Sequence, residues 1–193
     1  LHYMKFLQEL RVDDAISVIN DWILNVRPYN KFYWKGEWNS YALSIRVVQW
    51  IEIISKNKKN LEYIKIHPIE RSIFSQLRFL SNNLELDIGG NHIIKNIKAL
   101  ILGGLYFKNN ESDKWLKKAF YNLDKELDIQ ILKDGMHFEL SPSYHSQVLK
   151  DLIDIKIYLE NFNACYKNFL VNKKIQEKIS NKIQLMLKVN MSF

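Results

Sequence analysis

Gly89-Gly90-Asn91-His92-Ile93-Ile94-Lys95-Asn96-Ile97-Lys98-Ala99-Leu100-Ile101 is the stretch that decides how this chain folds. The glycine pair breaks what precedes it. Ile93, Ile94, Ile97, Leu100 and Ile101 then recur three and four apart, so a helix begins at Asn91-His92. Ser141-Pro142 is a second start of the same kind: serine can cap, proline is tolerated at the first helical position, and Val148, Leu149, Leu152, Ile153 and Leu159 carry the apolar stripe onward. Tyr144 falls in that first turn. Between the two starts lies one further helical pattern, about 113–131, with Trp115, Leu116, Ala119, Phe120, Leu123 and Leu127 on its apolar side. Short connections make neighbouring helices antiparallel, so the helices from Asn91 and Pro142 are expected to run parallel and to begin at the same end. Asn91, His92, Tyr144 and His145 should therefore converge. A helix start also carries partial positive charge and unpaired N–H groups, which favour an anion and oppose a protonated imidazole.

Working outward, stripes of helical period recur at about 14–26, 40–55, 68–86, 91–107, 113–131, 142–162 and 172–189, with no strand-like alternation of comparable length. This predicts an all-α chain forming one domain over 1–193. Apolar content of 47% with six glycines and three prolines fits a helix-rich globular class. The stripes show no self-similarity of a regular repeat array. The formal charge of +7, from 28 basic and 21 acidic residues, attracts polyanions in general, yet no nucleic-acid motif accompanies it. Lys56 to Lys59 should lie in a connection and Lys173-Lys174 at a helix start. No run is long and apolar enough for a membrane span, and no signal peptide is visible. Cys165 is alone, so no internal disulfide marks a compartment. No pair of histidines stands at a ligand spacing such as His-Glu-x-x-His, so neither a metal nor a cofactor is indicated. His2, His67 and His137 read as less informative, His67 lying before Pro68 in a connection.

The runs Gly90–Phe107 and Asp134 to His145 resemble the amino-terminal helical domain of the heparinase II/III family of polysaccharide lyases, which includes alginate and oligoalginate lyases. Leu1-His2-Tyr3, the run from Tyr41 through Arg46 to Ile51, and the run from Arg78 to Glu85 resemble further segments of that domain in the same order. The resemblance implies an incomplete (α/α) toroid opening onto a β-sandwich domain, with an acidic polysaccharide in the cleft between them. The sandwich is absent from this chain, which starts without methionine, ends at Met191-Ser192-Phe193, and so reads as a piece of a longer enzyme. The family draws a histidine or tyrosine and other binding groups from that downstream sequence, and its metal, where present, belongs there too. Isolated, the chain is expected to be inactive. A periplasmic or cell-envelope location, and a role in either degrading or assembling surface polysaccharide, follow from the resemblance alone.

The chemistry can be argued from the residues. In a uronate-containing polysaccharide the C5 proton is too weakly acidic to leave unaided, so a lyase must offset the carboxylate charge and provide a base. A neutral amide such as Asn91, helped by His92 and a helix start, can hydrogen-bond the carboxylate as it gains charge, worth about 3–4 kcal/mol per well-placed donor. Tyr144 or His92 would remove the proton, and an acid would protonate the O4 leaving group. As a base a phenol needs its ordinary pKa of about 10 lowered by a nearby charge or dipole; as an acid it does not. Which of the two acts as base stays open.

Each residue also has a blander role. Asn91 can cap its helix, His92 can be a satisfied structural histidine, and Tyr144 can be a core aromatic. Glu139 and His145 either touch substrate or fix their loop by a buried hydrogen bond. Arg46 either binds a sugar acid or braces the fold. Tyr29, Phe32, Tyr33, Trp34 and Trp38 lie in a segment without helical period; Trp34 can stack on a sugar face, or such rings can seal a gap between helices. A glycoside hydrolase using Asp134 and Glu139, and a polysaccharide-binding module without turnover, are the alternative functions.

Overall fold

The computed structural model describes residues 2–26, 32–59, 61–163 and 173–190. Among them are seven α-helices and two short 3-10 helices, and apart from an isolated bridge between Ile131 and His137 there is no strand. The all-α expectation holds. Tyr29, with the rest of 27–31, and Cys165 lie outside the described residues. The chain divides into two compact units, Leu1–Glu85 and Leu86–Phe193.

The first unit is built from α1 (Val12–Asn25), α2 (Ser40–Asn57) and α3 (Tyr63–Asn82). Its core follows from spacing: Ile16, Ile19 and Trp22 on α1, Leu43, Val47, Trp50 and Ile54 on α2, and Ile69, Ile73, Leu77 and Leu80 on α3 are all buried. The Asn39 carboxamide oxygen starts α2 by accepting from the N–H groups of Tyr41 and Ala42 at 3.1 and 3.3 Å. The expected start at Pro68 is wrong by more than a turn, because α3 begins at Tyr63 and carries Pro68 inside it. The proline forfeits the bond to the Ile64 carbonyl near the start of the helix, where Ile64 is exposed. His67 accordingly sits on a helix and not in a connection, and Lys56 belongs to the last turn of α2.

The second unit holds α4 (Gly90–Phe107), α5 (Asn110–Gln130), α6 (Pro142–Asn163) and α7 (Lys173–Asn190). Left-handed Lys108 and a capping box between Asn109 and Ser112 reverse the chain between α4 and α5. Those two helices pack closely because Gly104 has no side chain; a Cβ there would stand 2.4 Å from Leu116 Cγ. Three contacts fix the register of α4 on α6: Asn91 with Gln147, Lys95 with Asp151 and Lys98 with Asp154, each pair 56 residues apart. A constant offset means that the two helices run parallel, as their connection implied. The pair α5 and α7 is parallel as well, since Lys178 reaches Asp124 and Asp128 while Lys182 reaches Asp128 and the Ile131 carbonyl.

Candidate functional site

The start of α4 depends on its two glycines. Gly89, at φ 68 and ψ −147, holds the cap position in a region that side chains disfavour, and Gly90 follows at φ 53. Asn91 is thus the second residue of α4 and not its cap. The absence of a Cβ at Gly90 also admits the Glu139 carboxylate, whose Oε1 would lie 3.2 Å from one.

Asn91 is 6% exposed, and its Nδ2 lies 3.5 Å from Gln147 Oε1, one turn along α6 from Tyr144. Gln147 Nε2 in turn lies 3.5 Å from Ser143 Oγ. These contacts are at the long limit of a hydrogen bond, but they set the Asn91 amide against the first turns of α6. One Nδ2 hydrogen can point to Gln147 and leave the second for a ligand. Tyr144 is 42% exposed, so it is not a core aromatic. His92, half-buried, occupies the first turn of α4. The expectation that Asn91, His92 and Tyr144 share one end of the α4 and α6 pair agrees with this register.

Behind this end lies a buried polar relay. Gln130 donates from Nε2 to the Gly90 carbonyl at 2.9 Å and to Glu126 Oε2 at 2.6 Å, while its Oε1 stands 3.0 Å from His137 Nε2. The Glu139 N–H donates to His137 Nδ1 at 3.4 Å, and the His137 N–H donates to His145 Nδ1 at 3.3 Å. His145 Nε2 is 3.0 Å from the Met186 carbonyl. One tautomer satisfies the whole chain: both imidazoles accept at Nδ1 and donate from Nε2. Burial, and secondarily His145, pushes His137 down to about 4, which keeps it neutral at pH 7. Of the two roles open for His145, the geometry is that of a brace, since the ring is fully buried and both nitrogens meet backbone. The carboxylate of Glu139 is partly exposed, 3.6 Å from His137 Nδ1, beside the start of α4. Asp134 instead closes its own turn, accepting from the Met136 N–H at 2.9 Å.

One to two turns further in, Lys95 and Lys98 meet Asp151 at 2.7 and 3.0 Å, and Lys98 meets Asp154 at 2.5 Å. Burial opposes the charge on Lys98, but Asp151 and Asp154 outweigh it and hold the ammonium above the ordinary lysine range. Burial likewise opposes ionisation of Asp154, yet hydrogen bonds from Lys150 and Lys98 hold its carboxyl below the ordinary aspartate range. Gln147, Gln130, His137 and this ion cluster were not singled out in the sequence. The readable signal was Gln147, Asp151 and Asp154 at helical spacing, opposite Asn91, Lys95 and Lys98.

Arg46 and Trp34 belong to the first unit. Arg46 is fully buried, donating from Nε to Gln76 Oε1 at 2.9 Å and from Nη1 to the His2 carbonyl at 3.3 Å, with its guanidinium 4.1 Å from the Trp22 ring. Burial pushes it down to about 9, Glu37 opposing, so it stays charged at neutral pH. This is the geometry of a brace. Trp34 lies in the 3-10 helix Tyr33–Lys35 and is 49% exposed, edge-on to Phe32 and Tyr33. Trp38, by contrast, is buried against Tyr33 and Phe79 and seals the helix packing.

Among the described residues no cluster of histidine, cysteine and carboxylates could hold a metal, and no helix is long and apolar enough to cross a membrane. A heparin-sulfate lyase of Bacteroides thetaiotaomicron is 26% identical over 153 residues, which is 76% of this chain and 21% of that protein. One of Bacteroides stercoris is 33% identical over 57 residues, 29% of this chain and 9% of that protein. Among solved structures, heparan sulfate lyase HepC from Pedobacter heparinus matches with a TM-score of 0.73 at 19% identity, covering 99% of this chain and 31% of its own. A heparinase III structure matches at 0.71 and 21% identity, covering 94% of this chain and 27% of its own. These likenesses show the fold that the resemblance implied. The chain spans about a third or less of these relatives. A family model described as Heparinase II/III N-terminus matches residues 8–193, and the chain therefore belongs to that family, spanning its amino-terminal helical domain.

Proposed function

We propose that this chain is part of a polysaccharide lyase that cleaves uronate-containing polysaccharide of the heparan type by β-elimination. The observation that supports the reading is the parallel register of α4 on α6, with the buried Asn91 amide against Gln147, one turn from the solvent-facing Tyr144. Asn91 offers an amide hydrogen to the uronate carboxylate, and the start of α4 adds partial positive charge where the enolate-like intermediate gains negative charge. Tyr144 or His92 takes the C5 proton, the electron pair forms the C4–C5 double bond, and the O4 leaving group departs with a proton from an acid. Glu139 lies at the rim of this site, whereas His145 and Arg46 act as braces. Trp34, on the other unit, presents a ring that suits sugar stacking. In this reading the remaining groups come from a downstream β-sandwich domain and the enzyme works in the periplasm or cell envelope, as the family resemblance implies.

The test is ultraviolet absorbance of the unsaturated uronate when the natural full-length protein meets heparan, alginate and exopolysaccharide substrates. Heparan-type chains are expected to give the signal. Tyr144→Phe should lower kcat by about a hundredfold or more while binding is retained, the range expected of a lost proton-transfer group. Undiminished turnover removes Tyr144 from the mechanism, and cleavage products without a double bond replace the lyase by a hydrolase.

A further inference from the structure

Gln130 and His137 are almost wholly buried, at 1% and 0% exposure, yet both are polar and neither faces the site directly. Burial of such groups is tolerated only when their hydrogen bonds are made, and one of these bonds ends on the Gly90 carbonyl. His137 Nε2 fixes Gln130 through Oε1, Glu126 fixes its amide nitrogen, and the remaining amide hydrogen reaches the Gly90 carbonyl. Gly90 is the residue before Asn91. Its other face is closed by the Glu139 carboxylate, and the Glu139 backbone N–H is itself held by His137 Nδ1. The loop between α5 and α6 thus grips Gly90 from two sides. A relay serving only to brace that loop has no need to end on the first residue of a different helix.

We propose that Gln130 and His137 are positioning residues that hold the Gly90 to Asn91 step, and through it aim the Asn91 amide at the bound uronate. Gly90 and Gly89, both at positive φ, have little intrinsic preference for the conformation they adopt, so the step depends on these outside contacts. The catalytic half of the proposal rests on the lyase reading above.

The experiment compares the natural full-length protein with Gln130→Met, which keeps the volume but removes both the donor and the acceptor. Amide hydrogen exchange should accelerate at Ile93, whose N–H bonds to the Gly89 carbonyl, while amides of the buried stretch Ala99 to Gly104 keep their protection. In steady-state assays kcat should fall about tenfold to a hundredfold with KM within about twofold, as expected when a transition-state contact is misaligned and uniform binding is kept. Glu126→Ala releases the same amide from a half-buried position and should move both readouts the same way by less, which covers the case in which Gln130→Met does not fold. Unchanged exchange at Ile93 in the variant that folds overturns the clamp. Accelerated exchange with unchanged kcat overturns its positioning role. If the wild-type protein makes no unsaturated product, the lyase reading falls and with it the catalytic half, while exchange at Ile93 still decides whether the clamp exists.

Discussion

At the scale of the residue, chemistry and burial separate side chains that look equivalent in the sequence. The positions of Asn91, His92 and Tyr144 in the first turns of α4 and α6 were readable because each stands in a helix start beside a break. Arg46 and His145 were not, because a polar residue on an apolar stripe has the same spacing whether it meets a ligand or a neighbour. Burial and bonding give Arg46 the geometry of a brace: a guanidinium without exposure, bonded to Gln76 and the His2 carbonyl and resting on Trp22. Arg46→Met should accordingly lower the unfolding free energy by about 1–3 kcal/mol, chiefly by leaving the buried Gln76 Oε1 without its donor. The polysaccharide Kd should stay within about twofold of wild type. A large loss of affinity in a variant of normal stability would return Arg46 to the binding site.

At the scale of the element, the α4 and α6 register is a packing outcome in which buried charge takes part. The Lys95, Lys98, Asp151 and Asp154 cluster sits one to two turns below Asn91. Its contribution to stability follows from the direction of each shift. Asp154 is depressed in the folded state, so its stabilisation is present above the unfolded aspartate value of about 4 and fades as pH falls through the lower folded value. Lys98 is raised, so its stabilisation is present below the unfolded lysine value of about 10.4 and fades as pH rises through the higher folded value. Urea midpoints should therefore show a plateau from about pH 5 to pH 9 in this part of the profile, with losses on both sides. Lys98→Met with Asp151→Leu should flatten those losses but lower stability near pH 7, because Lys95 loses its Asp151 partner while largely buried. An unaltered pH profile in the double variant would assign the slope to other groups.

At the scale of the whole molecule, the two units each have their own core, and the stretches matched here are 31% of the HepC chain and 21% and 9% of the two curated relatives. The chain alone is expected to give a helical circular-dichroism spectrum and cooperative unfolding, yet no unsaturated product from heparan, while the natural full-length protein gives it. Turnover by the isolated chain would show that the proposed downstream groups are dispensable.

Much of this was settled by local pattern. The period of the apolar residues determined the helices, the glycine pair and Ser141-Pro142 determined where α4 and α6 begin, and short connections determined that they run the same way. These are near-neighbour effects, written in spacing. Tertiary structure alone decided that Pro68 rides inside α3, that Gln147 meets Asn91, and that Gln130 and His137 reach Gly90 from another helix and loop. Such contacts join residues dozens of positions apart, and what a polar side chain does there depends on which partners packing brings to it and how much water packing removes.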